Sequence, residues 1–214
     1  MKPNYTITLV KEINNQSSLI MKKVSITLLF CATLIMSGCK NDKKDADDNV
    51  NTETTTTTTT TKEEVKKIRV TIEPKSGSTL SGNAVFTEEN GEVTMTAIVD
   101  GLPEGMHAIH LHESADCSAE DGSSAGGHWN PTFEKHGKWG ATGGYHKGDI
   151  GNFKVDANGN GTITMTTDEW CIGCDDENKN IVGKAIVVHD GVDDFTSQPA
   201  GNAGTRVGCG SIKQ

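Results

Sequence analysis

The sequence predicts an all-β domain, a single antiparallel barrel or sandwich, over residues 66–214. Three observations predict it. Short segments of alternating apolar and polar residues recur along this region, turn-forming residues separate them, and no stretch shows convincing helical periodicity. The composition agrees, since the chain has 24 glycines and only 5% aromatic residues. A loop-rich β-domain is therefore expected.

Eight segments are predicted to be strands because apolar side chains recur at every second position. They are 68–73, 83–88, 92–99, 108–113, 150–155, 162–167, 184–189 and 206–212. Asn90-Gly91 and the run 157–161 predict hairpin turns, because Asn and Gly adopt positive φ at low cost. Two long connections, 113–149 and 189–205, interrupt this rhythm. Long ordered loops on a β-scaffold commonly carry function.

The first 38 residues have the character of an export signal. An apolar run over 24–36 follows Lys22 and Lys23 and precedes small residues. This run is too short to span a membrane as a helix. We therefore predict a signal peptide over 1–38, with Met21 as an alternative start.

Cys39 follows the signal at a position that resembles a bacterial lipobox, Met-Ser-Gly-Cys. Cleavage before this cysteine would leave it carrying lipid; the alternative is an ordinary cleaved signal with a chance cysteine. The Thr-rich segment 39–65 contains too little apolar surface to fold, so it is predicted to be a disordered tether. The expected location is the bacterial cell envelope, periplasmic or surface-facing, with membrane contact through the lipid.

The charge of the chain is acidic, with a formal net charge of -9 at pH 7. Proteins that bind nucleic acid usually show a basic patch or stripe. No nucleic-acid partner is therefore expected.

Histidines are concentrated in one part of the predicted fold. His110 and His112 lie two residues apart on a strand and share a face, whereas His107 is an odd number of residues away and points to the other face. We expect His107 to be a structural histidine, hydrogen-bonded beneath the long loops. The other candidates follow in the chain as His128, His136, His146, Asp149 and His189.

This donor set is too large for one ion. Six histidines and one aspartate exceed the four ligands of a tetrahedral zinc, but they suffice for two ions that share one ligand. Imidazole suits copper and zinc, square-planar nitrogen coordination favours Cu(II), and a single carboxylate fits zinc. The sequence therefore predicts two adjacent metal sites of different geometry. The alternative is a set of solvated loop histidines.

Six motifs occur in a familiar order: HAIHLHE, SAGGHWNP, KHG, HKGDIGN, VVHD and GNAGTRVGCG. With these motifs the region 66–214 resembles the copper/zinc superoxide dismutase family, in its bacterial, lipoprotein-type form. The resemblance implies an eight-stranded antiparallel Greek-key β-barrel or sandwich, immunoglobulin-like in architecture, with two long functional loops.

The resemblance also implies one copper and one zinc per chain. The implied copper ligands are His110, His112, His128 and His189. The implied zinc ligands are His128, His136, His146 and Asp149, so that His128 bridges the two ions. Asp193 would link His110 to His136, Arg206 would lie beside the open copper face, and Cys117 would form a disulfide with Cys209.

The implied activity is superoxide dismutation. Superoxide would be converted to dioxygen and hydrogen peroxide by Cu(II)/Cu(I) cycling with a structural zinc, which would protect the cell envelope. His128 would deliver a proton to the peroxide and Arg206 would orient the anion. The alternative is a non-enzymatic copper/zinc-binding envelope protein of the same fold. The oligomeric state stays open, with a homodimer as one option.

The loop before Arg206 departs from the better-known animal members of the family, because it carries three aspartates and no lysine. Superoxide dismutase is a standard example of a protein that steers its substrate electrostatically. We therefore expect the attraction to come from Arg206 together with Lys135, Lys138 and Lys147 of the other loop.

Cys171 and Cys174 form a second departure, a Cys-x-x-Cys motif. Such a pair can be a redox dithiol, a soft site for Cu(I) or a local disulfide. In an exported domain, the implied pairing of Cys117 with Cys209 leaves these two for each other, so a second disulfide is favoured.

Overall fold

The structure, a computed structural model, describes residues 64–214. The predicted signal peptide over 1–38, the lipid site Cys39 and nearly all of the predicted tether lie outside the described residues. All eight predicted strands are present. They are β1 Lys66–Pro74, β2 Ser81–Glu89, β3 Glu92–Asp100, β4 Gly105–His112, β5 Gly151–Val155, β6 Gly161–Thr167, β7 Ala185–His189 and β8 Arg206–Ser211. The described residues contain one short 3-10 helix, Ser123–Ala125.

The strands close into an antiparallel barrel in the order β1-β2-β3-β6-β5-β4-β7-β8. Most strands pair with a neighbour in sequence, but β3 pairs with β6 and β4 pairs with β7. The connections from β3 to β4 and from β6 to β7 therefore cross between non-adjacent strands, as in a Greek key. The predicted eight-stranded, all-β architecture is confirmed.

The barrel interior follows from strand alternation. On β3, Val93, Met95, Ala97 and Val99 are buried, whereas the residues between them are more exposed. Inward-facing residues of the other strands join them in one apolar cluster. Burial of apolar surface stabilises by roughly 25 cal/mol per Å². The closed barrel is thus a firm support for the loops outside it.

Both predicted hairpin turns are confirmed. Asn90 and Gly91 have φ values of 53° and 79° and join β2 to β3, where Glu89 pairs with Glu92. The turn from β5 to β6 is stabilised by Asp156, whose Oδ1 accepts hydrogen bonds from backbone N–H groups within the turn. Local turn chemistry therefore determines the register of these strand pairs.

Three connections are long. The two predicted ones join β4 to β5 over 113–150 and β7 to β8 over 190–205. A third, over 168–184, joins β6 to β7 and carries the Cys-x-x-Cys motif. This third long loop was not predicted from the sequence, because the segment contains no histidine and was not recognised as an interruption between strands. Within residues 64–214, no helix is both long and apolar enough to cross a membrane.

Candidate metal centre

Two groups of potential ligands meet outside the barrel wall. We name them after the metals expected from the sequence: the copper group is His110, His112, His128 and His189, and the zinc group is His128, His136, His146 and Asp149. In each group, one donor atom from every residue lies within 4.8 Å of the others. His128 belongs to both groups. The structure thus brings together the seven residues that the sequence singled out.

Strand alternation supplies half of the copper group. His110 and His112 leave β4 on the face opposite Ile109 and Leu111, which lie in the apolar core. His189 ends β7, which pairs with β4. The two strands therefore place three imidazoles side by side on a paired, rigid support.

The β4–β5 loop is attached to β4 between the two copper-group histidines. The Leu111 N–H donates to Gly148 O at 2.9 Å, and the Trp129 N–H donates to Leu111 O at 2.8 Å. Trp129 follows His128 and Gly148 precedes Asp149 in the chain. A Cβ at Gly148 would collide with Leu111 O, so glycine is required for this close approach.

Hydrogen bonds fix the tautomers of the copper-group histidines. The Nε2–H of His110 donates to Asp193 Oδ2 at 3.0 Å, and the Nδ1–H of His112 donates to Gly126 O at 2.9 Å. His189 donates from Nδ1 to Gly204 O at 3.3 Å. A neutral imidazole that donates from one nitrogen keeps a lone pair on the other. Each ring therefore presents an acceptor nitrogen to the group.

In the copper group those acceptor nitrogens are buried and have no hydrogen-bond partner: His110 Nδ1, His112 Nε2, His128 Nε2 and His189 Nε2. In the zinc group, Nδ1 of His136 and Nδ1 of His146 point to Asp149, at 3.0 Å and 3.2 Å from its carboxylate oxygens. Buried polar atoms are normally paired, so a convergent set of unpaired lone pairs fits a cation. Four imidazoles suit copper, and three imidazoles with one carboxylate suit zinc. Because these histidines are buried, the alternative of solvated loop histidines is wrong.

The carboxylate of Asp149 is the negative centre of the zinc group. Its Oδ2 accepts the N–H of His146 at 2.8 Å and that of Gly137 at 3.1 Å, while Oδ1 lies 2.8 Å from His128 Nδ1. Burial opposes its ionisation, but the hydrogen bonds from the surrounding histidines and amides hold the pKa of Asp149 far below the ordinary value. The group therefore contains a buried anion that attracts a cation.

Asp193 connects the two groups from behind. Its Oδ2 accepts from His110, and its Oδ1 lies 2.8 Å from Nε2 of His136. Its pKa is lowered well below the ordinary value, because these hydrogen bonds outweigh the opposing effect of burial. Gly201, at φ 64°, passes directly over this contact, and a Cβ there would overlap the Asp193 carboxylate.

His136, which belongs to the zinc group alone, differs in protonation from the shared His128 and from His189 of the copper group. Burial lowers the pKa of His128 to about 4 and that of His189 to about 3, so both rings are neutral near pH 7. For His136, burial acts in the same direction, but hydrogen bonds to Asp149 and Asp193 outweigh it and raise its pKa to about 9. A metal entering the zinc group must displace that proton.

Arg206 lies at a cavity beside the copper group. The cavity has a volume of about 440 Å³, and its lining includes His112, His128, His189 and Arg206. The guanidinium donates from Nη1 to Gly122 O at 2.7 Å and from Nη2 to Gly126 O at 2.8 Å. Burial lowers the pKa of Arg206, yet an arginine stays charged in proteins. A fixed positive charge therefore faces the open side of the copper group.

His107 is separate from both groups, as the strand alternation predicts. Its ring contacts two backbone carbonyls, with Nδ1 3.1 Å from His189 O and Nε2 2.9 Å from Pro103 O. This buried histidine joins the end of β7 to the connection between β3 and β4. It supports the backbone of a copper-group residue and contributes no ligand atom.

Both disulfides are present. Cys117 is bonded to Cys209 with a Cα–Cα distance of 5.8 Å, which ties the β4–β5 loop to β8 beside Arg206. Cys171 is bonded to Cys174 within the β6–β7 connection.

Gln198 is a residue of the site that the sequence did not reveal. Its side-chain amide accepts the N–H of His136 at 2.9 Å and donates to the His136 carbonyl at 2.9 Å. It thereby clamps a zinc-group residue to the β7–β8 loop. Nothing in the sequence indicates this, because the contact is with main chain and the two residues are far apart in the chain.

The lysines of the β4–β5 loop are not equivalent. The Lys147 ammonium forms an ion pair with Glu169. Lys135 and Lys138 are exposed, and neither forms an ion pair within residues 64–214. Of the three lysines expected to attract superoxide, Lys135 and Lys138 are therefore better suited to that role than Lys147.

The fold and site together define a class, a Greek-key β-barrel with two adjoining metal groups that share one histidine. Residues 80–212 match the family described as copper/zinc superoxide dismutase (SODC). A protein of Aquifex aeolicus (strain VF5) named superoxide dismutase [Cu-Zn] 2 is 36% identical over 135 residues, which cover 62% of this chain and 78% of the relative. The chain belongs to the copper/zinc superoxide dismutase family.

Solved structures show the same fold. A double mutant of a SOD-like protein from Bacillus subtilis has a TM-score of 0.61 and 29% identity, covering 68% of this chain and 97% of that one. The clock protein EA4 has a TM-score of 0.61 and 32% identity, covering 69% of this chain and 93% of that one. Proteins with different descriptions therefore share this barrel, so activity has to be argued from the site.

Proposed function

We propose that this chain is a superoxide dismutase that holds one copper and one zinc. The observation that carries the proposal is the fixed guanidinium of Arg206 at the cavity beside the copper group. Two of its five N–H donors are used by Gly122 and Gly126, and the others can bind a small anion. A protein that only stored metal would have no need for an anion-binding cation at this point.

The reaction consumes two superoxide ions and two protons and yields dioxygen and hydrogen peroxide. Copper bound by the four imidazoles of the copper group would supply the one-electron chemistry, while zinc in the other group would be structural. The chain's own residues bind the anion, through Arg206, and supply a proton. His128 lines the cavity, so when its Nε2 is not bound to metal it can take up a proton from solvent and pass it to the anion that becomes peroxide.

The outer hydrogen bonds keep this arrangement fixed during turnover. Asp193 orients His110 on one side and His136 on the other, and backbone carbonyls orient His112 and His189. Preorganised groups need no rearrangement when charge develops, which is the usual source of electrostatic catalysis. The copper-group rings are therefore held in place before the substrate arrives.

The test compares superoxide removal by the copper- and zinc-loaded chain with that by Arg206→Ala and His128→Ala. Superoxide dismutase is a standard case of a diffusion-limited enzyme, so part of any loss in the chemical step does not appear in the rate constant. We therefore expect Arg206→Ala to lower the rate constant by about 10- to 100-fold. Arg69→Ala is the matched control, because Arg69 is exposed on β1 and contacts neither group. Equal rates in all four proteins, with full metal content, would contradict the roles given to Arg206 and His128. Removal by the unchanged loaded chain that is no faster than spontaneous dismutation would favour the metal-storage alternative.

We also propose that the protein is exported and anchored by lipid on Cys39 in the bacterial cell envelope, where it would remove superoxide. The lipobox-like sequence before Cys39 and the Thr-rich segment after it support this location. Mass spectrometry of the mature protein is expected to show an N-terminal lipidated Cys39 and no residues 1–38. Recovery of Cys39→Ser in the membrane fraction as fully as the unmodified sequence would contradict the anchor.

A further inference from the structure

His146 is held differently from the other candidate ligands. The rings of His110, His112, His136 and His189 each make a hydrogen bond from the second nitrogen to a carboxylate or carbonyl. No such bond reaches the His146 ring among residues 64–214, and its Nδ1 lies 3.2 Å from Asp149 Oδ1. The orientation of this ring therefore depends on the main chain on either side of it.

The two residues next to His146 are attached at three points to the β6–β7 connection, twice through their side chains and once through the main chain. The Tyr145 hydroxyl donates to Glu169 Oε1 at 2.6 Å, and the Lys147 ammonium donates to Glu169 Oε2. The indole N–H of Trp170 donates to the Lys147 carbonyl at 2.9 Å. Both neighbours of His146 are thus bound to two consecutive residues, Glu169 and Trp170.

These two residues have a firm support of their own. Trp170 is almost fully buried and packs against Phe86 of the barrel core and against Trp139, with ring centroids 6.3 Å and 5.6 Å away. Trp139 in turn packs on Tyr145 at 5.0 Å. The attachment of the His146 segment is therefore anchored in the core.

The Cys171–Cys174 disulfide follows directly after Trp170. The Cys171 N–H donates to Lys179 O at 2.8 Å, and the Ile181 N–H donates to Cys171 O at 3.1 Å, so the disulfide closes a turn on a short backbone ladder. Cys171 is buried, whereas Cys174 is partly exposed. Cys174 is therefore the half of the disulfide nearer to solvent.

We propose that Glu169 and Trp170 are positioning residues for the zinc-group histidine His146, and that the Cys171–Cys174 disulfide makes this positioning sensitive to thiol reduction. The proposal uses only the zinc group and does not depend on dismutase activity. A chain that binds zinc but fails to remove superoxide would leave it intact.

The redox step needs a dithiol reductant. A thiolate of the reductant attacks Cys174 Sγ, the Cys171–Cys174 bond breaks, and Cys171 leaves as a thiolate that takes up a proton. The second thiol of the reductant then attacks the mixed disulfide and releases Cys174 as a thiol. The protein gains two electrons and two protons, and the reductant becomes a disulfide. The turn after Trp170 loses its covalent closure.

The first experiment measures zinc affinity by competition with a chromophoric chelator. Trp170→Phe keeps an aromatic ring but removes the indole donor, and Glu169→Gln weakens the bonds to Tyr145 and Lys147. Loss of a partner outside the metal shell usually costs 10- to 100-fold in affinity, so we expect a loss of about tenfold for these indirect contacts. Copper affinity should change less than about twofold, because its histidines have separate outer partners.

A matched control is Trp139→Phe, which makes the same change in a ring whose indole N–H donates no hydrogen bond within residues 64–214. Because Trp139→Phe reduces packing on Tyr145 but removes no hydrogen bond, zinc affinity should fall by less than it does in Trp170→Phe. Co(II) bound in the zinc group provides a spectroscopic readout. Its visible absorption should shift more in Trp170→Phe than in Trp139→Phe. Unchanged zinc affinity and Co(II) spectrum in Trp170→Phe would overturn the positioning role, and equal losses of copper and zinc would show general loosening instead.

The second experiment tests the disulfide with Cys171→Ser/Cys174→Ser and with the unchanged chain after mild dithiol treatment. Thiol alkylation and mass spectrometry verify that Cys117–Cys209 stays closed. We expect a similar zinc loss of about tenfold, and little further loss when Trp170→Phe is added, because both changes release the same attachment. Unchanged zinc affinity in the double serine variant, alongside a loss in Trp170→Phe, would overturn the redox sensitivity.

Discussion

The two halves of the metal centre are built on different supports. In the copper group, His110 and His112 come from β4 and His189 from the end of β7, so three of four ligands are attached to paired strands. In the zinc group, every ligand comes from the β4–β5 loop. Sites on strands are held more firmly than sites on loops. The zinc group therefore relies on contacts that fix the loop, and the copper group relies on the barrel.

Their electrostatics differ in the same way. The copper group is a set of neutral imidazoles whose pKa values are lowered by burial. The zinc group contains the ionised Asp149, and its His136 has a pKa raised to about 9. The copper group is thus a buried set of neutral imidazoles with free lone pairs. The zinc group is a buried ion pair, and a metal that binds there must displace the proton of His136. Four changes test this comparison, beginning with the one that affects both halves.

Replacing the shared residue should have the largest effect. His128→Ala removes a ligand from both groups, so copper and zinc affinities should each fall by more than about 100-fold, the upper end of the loss for an outer partner. Competition titrations with chelators of known affinity measure both. His107→Gln changes the one remaining histidine, which is in neither group, and should keep both affinities within about tenfold. A loss confined to one metal in His128→Ala would show that the two groups do not share this residue.

Asp193→Ala should separate the halves. It removes the partner of His110 on β4 and the partner of His136 on the loop. Because a strand keeps His110 in place and a loop does not keep His136, zinc affinity should fall by about 10- to 100-fold and copper affinity by less. Equal losses of copper and zinc affinity in the same titrations would mean that β4 does not hold His110 more firmly than the loop holds His136.

The strands and turns that carry the copper group could be predicted from the sequence, because they depend on local patterns. The alternation around His110 and His112 separates them from His107, and the structure places His107 on backbone carbonyls instead of in either group. Asn90-Gly91 and the turn after Asp156 are also local features. In each case, residues close in the chain decide the structure.

Asp193 was expected from the family resemblance, and its contacts with His110 and His136 are present. The other partners outside the ligand shell could not be predicted. Gly126 and Gly204 act through their carbonyls, and Gln198 binds the main chain of His136. A main-chain contact leaves no requirement for a particular side chain, so the sequence carries no pattern for it. The ion pair between Glu169 and Lys147 depends on the packing of two loops. Because of it, Lys147 is less suited to attracting superoxide than expected from the sequence.

In the metal-free protein, the shared His128 and the copper-group His189 should change stability with pH in the opposite direction to His136 of the zinc group. His128 and His189 have folded pKa values of about 4 and about 3, below the unfolded value near 6.5, so stability should fall as the pH drops below 6.5. His136, with a folded pKa of about 9, contributes stability below pH 6.5 that is lost as the pH rises towards 9. The expected maximum lies near pH 6.5.

Urea unfolding of the chelator-treated chain between pH 4.5 and 9.5 measures this, and the change along each limb should be a few kcal/mol at about 1.4 kcal/mol per pKa unit. His136→Gln should flatten the alkaline limb and His189→Gln the acid limb. A stability that rises continuously to pH 9 would contradict the protonated state inferred for His136.

The smallest expected effect concerns the approach of the substrate, in which the two functional loops differ. The β7–β8 loop carries Asp190, Asp193 and Asp194, and the β4–β5 loop carries the exposed Lys135 and Lys138. If these two lysines offset the acidic field, Lys135→Gln/Lys138→Gln should lower the superoxide rate constant by about two- to fivefold at low salt and flatten its dependence on ionic strength. Pulse-generated superoxide at several salt concentrations measures both quantities.

Lys154→Gln/Lys67→Gln is the matched control, because both lysines are exposed on barrel strands and the net charge changes equally. This control should change the rate by less than the loop variant does, since a field at the cavity depends on charge position as well as on total charge. Equal changes in the two variants would show that net charge alone governs the approach. Unchanged rates in the loop variant would leave Arg206 as the sole source of attraction.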